Sequence, residues 1–237
     1  MPEVPVALEF NGLAYAVMMA TPADLEDFAV GFAIAEGLAS SASDITDMAV
    51  AEVTDGWVVR TALTGLGIDK LTERVRTRVA ESSCGLCGID NLAAVARPLP
   101  AVARHGPIDP QAIFTALKEM GQQQPLSAET GAAHAAAWVS PQGAIGCLRE
   151  DVGRHNALDK LTGAMARSAR PLSPGFVLST ARCSYEIVEK AVRGGATTLV
   201  CISLPTLMAV ERAAAAGLSL WALARPDSVL LVNDASA

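Results

Sequence analysis

Short runs of hydrophobic residues, separated by turn residues, dominate the first part of the chain. Residues 4–20 form two such runs around Asn11-Gly12, and residues 45–63 form two around Asp55-Gly56. Both residues of an Asn-Gly or Asp-Gly turn readily adopt positive φ, as tight β-hairpins require. The pattern therefore predicts two hairpins.

Helical patterns follow each hairpin. Thr21 precedes Pro22, and a threonine cap before a proline at the first helical position predicts a helix that runs to Glu36 and ends at Gly37. Residues 69–80 repeat apolar side chains with helical spacing, which predicts an amphipathic helix.

The second part of the chain alternates between helical and extended patterns after a proline-rich stretch at residues 97–110. This alternation predicts βαβ units on a mostly parallel sheet. We divide the chain near residue 105, into a hairpin-rich α+β part (1–105) and an α/β part (106–237). The predicted helices are 110–121, 154–168, 185–193 and 207–216, and the predicted strands are 144–148, 176–179, 197–203 and 218–223.

Composition excludes several classes of protein. The 237 residues are 51% hydrophobic and 18% charged, which is unlike a disordered chain. Five cysteines are too few and odd in number for a secreted disulfide scaffold. The first 59 residues hold ten acidic residues and no Lys or Arg, so no basic signal-peptide region is present. With a net charge of −7 and no long apolar run, we expect a cytoplasmic protein without membrane or nucleic-acid partners.

The sharpest local feature is Cys84-x-x-Cys87, in which a glycine follows each cysteine. Two thiols at this spacing can share a metal, form a reversible disulfide or relay a sulfur-bound group. The spacing alone favours structural zinc, but no second Cys or His pair supplies the two further ligands. A thioredoxin-type pair would open a helix, whereas this pair follows a predicted one. Neither alternative is excluded by the sequence.

A second feature, residues 149–160, concentrates seven charged or titratable side chains in twelve positions of an apolar chain. Gly153 is followed by Arg154 and His155 at a predicted helix start, where cations and backbone N–H groups can bind an anion. The spacing alone favours a solvated first helical turn instead.

Cationic or polar residues also follow three successive predicted strands. Arg182 and Ser184 follow the strand at 176–179, Thr206 follows the strand at 197–203, and Arg225 follows the strand at 218–223. Ligands of open α/β sheets bind beyond the carboxyl ends of the strands, so these residues predict a single ligand crevice. Ser184 can instead serve only as a helix cap. His134, in a run of small residues, is predicted to be a packed, hydrogen-bonded imidazole rather than a catalyst.

Taken together, these segments resemble the formate dehydrogenase accessory sulfurtransferases, the FdhD family. The Cys-x-x-Cys alone is a weak signal, but its combination with the Asp-Val-Gly-Arg-His-Asn-Ala-Leu-Asp-Lys run, in this order, is highly specific. The resemblance covers almost the whole chain and includes residues 21–32, 83–88, 130–131, 134–136, 150–160 and 205–206.

The resemblance implies a sulfurtransferase that carries persulfide sulfur from a cysteine desulfurase to the bis-molybdopterin guanine dinucleotide cofactor of formate dehydrogenase. It implies a cytidine-deaminase-like, three-layer α/β domain with a mixed sheet, a homodimer and no bound metal. Cys84 matches the persulfide-carrying cysteine and Cys87 its partner. The residues expected to contact the molybdenum cofactor are Leu223, Ala224, Arg225, Pro226, Asp227 and Ser228, together with Arg154, His155, Lys160 and Arg182. A zinc module, a dithiol oxidoreductase and a non-catalytic maturation chaperone are the alternatives.

Overall fold

Two mixed β-sheets and the helices packed on them form the protein. The computed structural model describes residues 2–65, 79–80 and 98–237. A five-stranded sheet is built from residues up to Ala80, and a six-stranded sheet from residues after Ala133. The predicted α/β class with a hairpin-rich first part is confirmed.

The five-stranded sheet has the strand order β3-β4-β1-β2-β5. Both predicted hairpins are present. Asn11 and Gly12 have φ values of 49° and 79°, which the type of turn expected for Asn-Gly requires. The strands are β1 (Val4–Phe10), β2 (Leu13–Ala20), β3 (Ile45–Val53), β4 (Gly56–Leu63) and β5 (Val79–Ala80).

Strand β5 corrects the helix predicted for residues 69–80. Val79 and Ala80 pair in parallel with Val17 and Met18 of β2, so the end of the predicted helix is extended instead. The free edge of β2 supplies hydrogen-bonding groups that periodicity within residues 69–80 does not reveal. Residues 66–78 lie outside the described residues.

Helix α1 (Leu25–Ala35) starts later than predicted. Its N-cap is Asp24, which has left-handed backbone angles, and no side chain caps the helix there. Thr21 is buried and contacts the second half of the chain instead. Ten of the eleven residues of α1 are buried, and apart from Glu26 and Asp27 in the first turn the helix is apolar.

The six-stranded sheet has the order β11-β10-β9-β8-β6-β7. Its strands are β6 (His134–Val139), β7 (Ile145–Asp151), β8 (Phe176–Ser179), β9 (Thr198–Cys201), β10 (Ser219–Ala222) and β11 (Leu230–Asn233). The helices are α2 (Pro110–Met120), α3 (Pro125–Thr130), α4 (Arg154–Arg167), α5 (Tyr185–Arg193) and α6 (Leu207–Ala216). The prediction missed β6, β11 and α3.

The sheet is mixed rather than mostly parallel. Strand β8 pairs in parallel with β9, and β9 with β10, but β6 pairs antiparallel with both β7 and β8, and β11 with β10. The mostly parallel sheet expected from alternation is therefore wrong, because β6 enters from the opposite direction. The mixed sheet expected from the family resemblance is present.

Helices cover both faces of this sheet. Along β8, Val177 packs in a core with side chains of α4, α5 and α6, whereas Phe176 and Leu178 pack in a second core with side chains of α2. The alternation of side chains along a strand places successive residues on opposite faces. Three layers result, and α1 then joins the α4 layer to the five-stranded sheet.

Helices α1 and α4 touch backbone to backbone. A Cβ atom added at Gly31 would lie 1.7 Å from the Asp159 carbonyl oxygen, and one added at Gly163 would lie 1.8 Å from that of Asp27. Only glycine permits such an approach. The packing of α1 on α4 crosses the boundary predicted near residue 105, and the division into domains stays a prediction.

Candidate functional site

Four strands of the six-stranded sheet end at the same edge. Strands β7, β8, β9 and β10 run in one direction, and β6 and β11 run in the other. The residues after Asp151, Ser179, Cys201 and Ala222 therefore share this edge with the start of β6, at His134. We call it the carboxyl edge. Three helices, α4, α5 and α6, begin after strands that end there, so their N–H termini lie on the same side.

A buried ion pair stands at the end of β7. The Lys160 ammonium lies 2.6 Å from Asp151 Oδ2, and both side chains have no exposed surface. Lys160 also donates to the Thr21 carbonyl oxygen at 2.9 Å. A buried charge is tolerated only when it is paired and hydrogen-bonded, as both are here.

Each carboxylate oxygen of Asp151 accepts two hydrogen bonds. Oδ2 accepts from the Thr21 backbone N–H at 3.0 Å as well as from Lys160. Oδ1 accepts from the Gly153 N–H at 2.7 Å and from Asn156 Nδ2 at 2.9 Å. Asp151 therefore fixes the first turn of α4, because it accepts hydrogen bonds from the N-cap residue Gly153 and from Asn156.

The same network reaches the five-stranded sheet. Asn156 Nδ2 donates to the Met19 carbonyl oxygen at 2.9 Å, and the Val152 N–H donates to Thr21 Oγ1 at 3.0 Å. Met19 belongs to β2 and Thr21 follows it directly. The end of β2 is thus bonded to the start of α4.

These contacts correct one interpretation of the sequence and bear on a second prediction. The charged run at residues 149–160 is not a solvated helical turn, because Asp151, His155, Asp159 and Lys160 are all buried. Lys160 holds β2, β7 and α4 together, and its ammonium is sealed from the surface. That position disfavours the predicted contact between Lys160 and the cofactor, which no finding tests.

Arg154 and His155, the first two residues of α4, are also buried. His155 Nε2 lies 3.5 Å from Glu186 Oε2 on the first turn of α5. The N-cap of α4 is Gly153, which has no side chain to cap the helix. The helix start thus lies at the carboxyl edge with Arg154 beside it, as an anion site requires.

Arg182 and the segment from Leu223 to Ser228 lie on the loops after β8 and β10. Arg182 is exposed. Arg225 is exposed as well, and its guanidinium donates to the Ile202 carbonyl oxygen at 2.6 Å and to that of Ala224 at 2.9 Å. The Arg225 N–H donates to the Ser228 carbonyl oxygen at 2.8 Å, which closes the turn.

The other predicted residues of this segment divide between surface and core. Leu223, Pro226, Asp227 and Ser228 are exposed, whereas Ala224 is buried among residues of the sheet and α2. Leu223 has a φ of 50°, which turns the chain at the end of β10. The segment is accessible from the carboxyl edge, and its contacts with a cofactor stay a prediction.

The capping role considered for Ser184 is not observed. Ser184 is the N-cap residue of α5, but its side chain forms no cap hydrogen bond, and its hydroxyl oxygen is buried without a partner among the described residues. In contrast, Thr206 caps α6 by accepting from the Ala209 N–H at 3.2 Å.

His134 is a residue of the carboxyl edge that the sequence did not reveal. It begins β6, between Asp151 at the end of β7 and Thr180 after β8, and it is only half-buried. Burial lowers the pKa of His134, as do the charges of Arg154 and Arg182, while Asp151 and Thr180 act in the opposite sense. The imidazole contacts Thr180 and is partly packed, which agrees with the packed, hydrogen-bonded imidazole predicted from the sequence.

Cys84 and Cys87 lie outside the described residues, which resume at Pro98. The other three cysteines are unpaired thiols: Cys183 and Cys201 are buried, and Cys147 is half-buried. Burial raises the pKa of the Cys147 thiol. Within residues 2–65, 79–80 and 98–237, no group of three or more His, Cys, Asp or Glu side chains is placed to hold a metal ion. None of the helices described there is long and apolar enough to span a membrane.

Comparison with known proteins identifies relatives of the whole chain. The FdhD/NarQ family matches residues 1–236. The chain is 42% identical over 229 residues to the sulfur carrier protein FdhD of Variovorax paradoxus (strain S110), covering 97% of this chain and 82% of that protein. It is 44% identical over 231 residues to the protein of the same name from Xanthomonas euvesicatoria pv. vesicatoria (strain 85-10), covering 98% and 82%.

A solved structure shares the fold. The crystal structure of a putative formate dehydrogenase accessory protein from Desulfotalea psychrophila matches with a TM-score of 0.76 at 21% identity. The match covers 98% of this chain and 87% of that one.

Proposed function

Because the chain belongs to the FdhD/NarQ family, as the motifs indicated, we propose that it is a sulfur carrier in the maturation of formate dehydrogenase. In this proposal Cys84 accepts sulfur from the persulfide of a cysteine desulfurase. The sulfur is passed to the bis-molybdopterin guanine dinucleotide cofactor, which is bound as a substrate at the carboxyl edge. The relatives' shared name, sulfur carrier protein FdhD, supports the first part.

The single observation that carries the second part is the row of cations along the carboxyl edge. Arg154 follows β7, Arg182 follows β8 and Arg225 follows β10. In the strand order, β7 and β10 are separated by four strand spacings, or roughly 19 Å at about 4.8 Å each. A row of this length suits a large ligand with several phosphates, and guanidinium groups bind phosphates well.

The position of β5 relates the thiols to this edge. Ala80 pairs with Met18, and the neighbouring Met19 carbonyl accepts the hydrogen bond from Asn156 of α4. Cys84 follows Ala80 by four residues, so covalent geometry alone keeps their Cα atoms within about 14 Å. This connection supports transfer of sulfur toward the start of α4.

The proposed chemistry balances without a net oxidant. The Cys84 thiolate attacks the terminal sulfur of the desulfurase persulfide, the S–S bond of the donor breaks, and the desulfurase thiolate leaves. The product is a persulfide on Cys84. Attack of the Cys87 thiolate on Cys84 Sγ then releases hydrosulfide to the cofactor and leaves a disulfide, which a dithiol reductant reduces.

Mass spectrometry tests the first step. The full-length protein is incubated with a cysteine desulfurase and cysteine, and the peptide that contains Cys84 is expected to gain about 32 Da, the mass of one sulfur atom. The Cys84→Ala variant should lose the adduct, whereas Cys147→Ala, which removes a half-buried thiol of β7, should keep it.

Four results would contradict the proposal. The first is full sulfuration of the cofactor by Cys84→Ala in a reconstituted assay. The second is stoichiometric zinc in the purified protein with folding that a chelator abolishes, which would support a structural metal module. Turnover of a disulfide substrate without the desulfurase would indicate an oxidoreductase instead. If variants at both thiols still mature formate dehydrogenase, the protein is a chaperone.

The homodimer also stays a prediction. Sedimentation velocity of the full-length protein checks it.

A further inference from the structure

His134 fills the gap in the cationic row along the carboxyl edge. In the strand order, β6 lies between β7 and β8, so the first residue of β6 stands between the start of α4, at Arg154, and the loop that carries Arg182. The pairing confirms this position, because His134 is directly opposite Asp151 of β7, and Ala136 is opposite Ser179 of β8. The imidazole is half-buried, so part of it is accessible at the edge.

Thr180 lies next to the imidazole of His134. The Thr180 hydroxyl oxygen accepts from the Ala135 N–H at 2.8 Å and lies 3.5 Å from His134 Nδ1. The same hydroxyl lies 3.4 Å from the Ala135 carbonyl oxygen, and a hydrogen bond between the ring and the backbone of Thr180 raises the pKa of His134. A ring N–H of the imidazole can donate to an anion at the edge, and both ring nitrogens donate when the ring is protonated.

The charged groups around His134 favour an anion at this position. Arg154 at the start of α4 and Arg182 after β8 contribute two positive charges. Asp151, the nearby acidic residue, is neutralised by Lys160 at 2.6 Å. The two arginines lower the pKa of His134, and an anion bound between them would remove that effect.

We propose that His134 binds the phosphate-bearing part of the ligand, as a hydrogen-bond donor between Arg154 and Arg182. The inference rests on the proposed function, because it assigns a further binding residue to the same site. It also assigns a pH dependence to the site. An anion raises the pKa of the imidazole on binding, so the affinity is constant at high pH and increases as the pH falls through the pKa of the bound state.

Guanosine diphosphate serves as the ligand in a calorimetric test on the full-length protein. His134→Leu removes the donor and is expected to weaken binding about tenfold, the value of one hydrogen bond to a charged group. His134→Gln keeps a donor that does not titrate. It should bind about as well as the wild type at pH 8, whereas at pH 5.5 the wild type should bind roughly tenfold more tightly than the Gln variant.

Because the variants are compared with the wild type at the same pH, protonation of the phosphate itself changes the affinity of all of them equally. His105→Gln is the matched control, because His105 lies on the loop before α2 and contacts the Gly106 carbonyl. It should bind like the wild type at both pH values. Thermal unfolding of each variant identifies any loss of binding that comes from misfolding. If His134→Leu misfolds, the comparison of His134→Gln with the wild type at the two pH values tests the role of His134.

The outcomes separate this inference from the proposed function. If Arg182→Ala weakens binding but His134→Leu binds like the wild type, the role of His134 is refuted and the cofactor site stands. If the Gln variant shows the same pH dependence as the wild type, the imidazole does not contact the phosphate. If the wild type does not bind guanosine diphosphate, both the site and the role of His134 are wrong, while the sulfur adduct on Cys84 is tested independently.

Discussion

Replacing Lys160 by methionine tests whether its ammonium is sealed inside the protein. The variant keeps the length and apolar stem of the side chain but removes the charge that faces Asp151 at 2.6 Å. Asp151 then retains three of its four hydrogen-bond donors, from Thr21, Gly153 and Asn156. Its negative charge, however, stays buried without a cation.

The expected loss follows from that remaining charge. Removing one partner of a buried ion pair costs about 3 to 5 kcal/mol, and the three remaining donors place this case at about 3 kcal/mol. For a chain of this size, a loss of about 3 kcal/mol lowers the unfolding temperature by roughly 6 to 12 °C. Thermal unfolding followed by circular dichroism, with urea titration as a second measurement, determines the loss.

Lys118→Met is the matched control. Lys118 is exposed on the last turn of α2, so the same exchange there should change the free energy of unfolding by less than about 0.5 kcal/mol. If Lys160→Met behaves like Lys118→Met, the buried ion pair is refuted. If Lys160→Met does not fold, Thr21→Val tests the neighbouring contact of the same network, because loss of the hydroxyl that accepts from Val152 at 3.0 Å should cost about 1 to 2 kcal/mol.

Three further predictions concern packing, capping and thiol reactivity. Gly163→Ala should destabilise the protein by about 3 kcal/mol or more, because its Cβ would lie 1.8 Å from the Asp27 carbonyl oxygen, whereas Gly121→Ala, with no atom within 4 Å, should be neutral in urea unfolding. Thr206→Ala should cost about 1 kcal/mol through the lost cap of α6, and Ser184→Ala, at a helix start without a cap hydrogen bond, should cost less than half of that. In a Cys84→Ser/Cys87→Ser variant, alkylation of Cys147 by iodoacetamide should be slow at pH 7.5 and increase as the pH rises past 9, because burial raises the pKa of this thiol. A rate that is already constant at pH 8, measured by mass spectrometry, would contradict the burial of Cys147.

Local signals in the sequence were sufficient for the hairpins and for most helices. The Asn11-Gly12 turn depends on two backbone conformations that those residues adopt readily, and α5 is found over the predicted residues 185–193. In both cases neighbouring residues along the chain determine the element.

The missed elements depend on contacts distant in sequence. Strand β6 contains Ala135, Ala136 and Ala137, and alanine does not favour strands, so its extended form comes from pairing with β7 and β8. Since β6 was missed, the position of His134 at the carboxyl edge was missed as well. The β5 pairing with β2 is a second example.

The burial of Lys160 could not be derived from residues 149–160 alone. Such a run of charges is solvated in most proteins. Here Thr21, 139 positions earlier in the chain, provides the carbonyl that Lys160 contacts. Thr21 was predicted to cap α1, because the sequence around it, a threonine before a proline, fits that role equally well. Only the tertiary structure distinguishes the two roles.

The glycine contact between α1 and α4 has a mechanical consequence for the molecule. Gly31 and Gly163 leave no side chains at the crossing, so no rotamer change there can absorb a sliding or rolling movement of one helix on the other. The crossing of α1 and α4 therefore resists a change in the distance between the two sheets on either side of this helix pair.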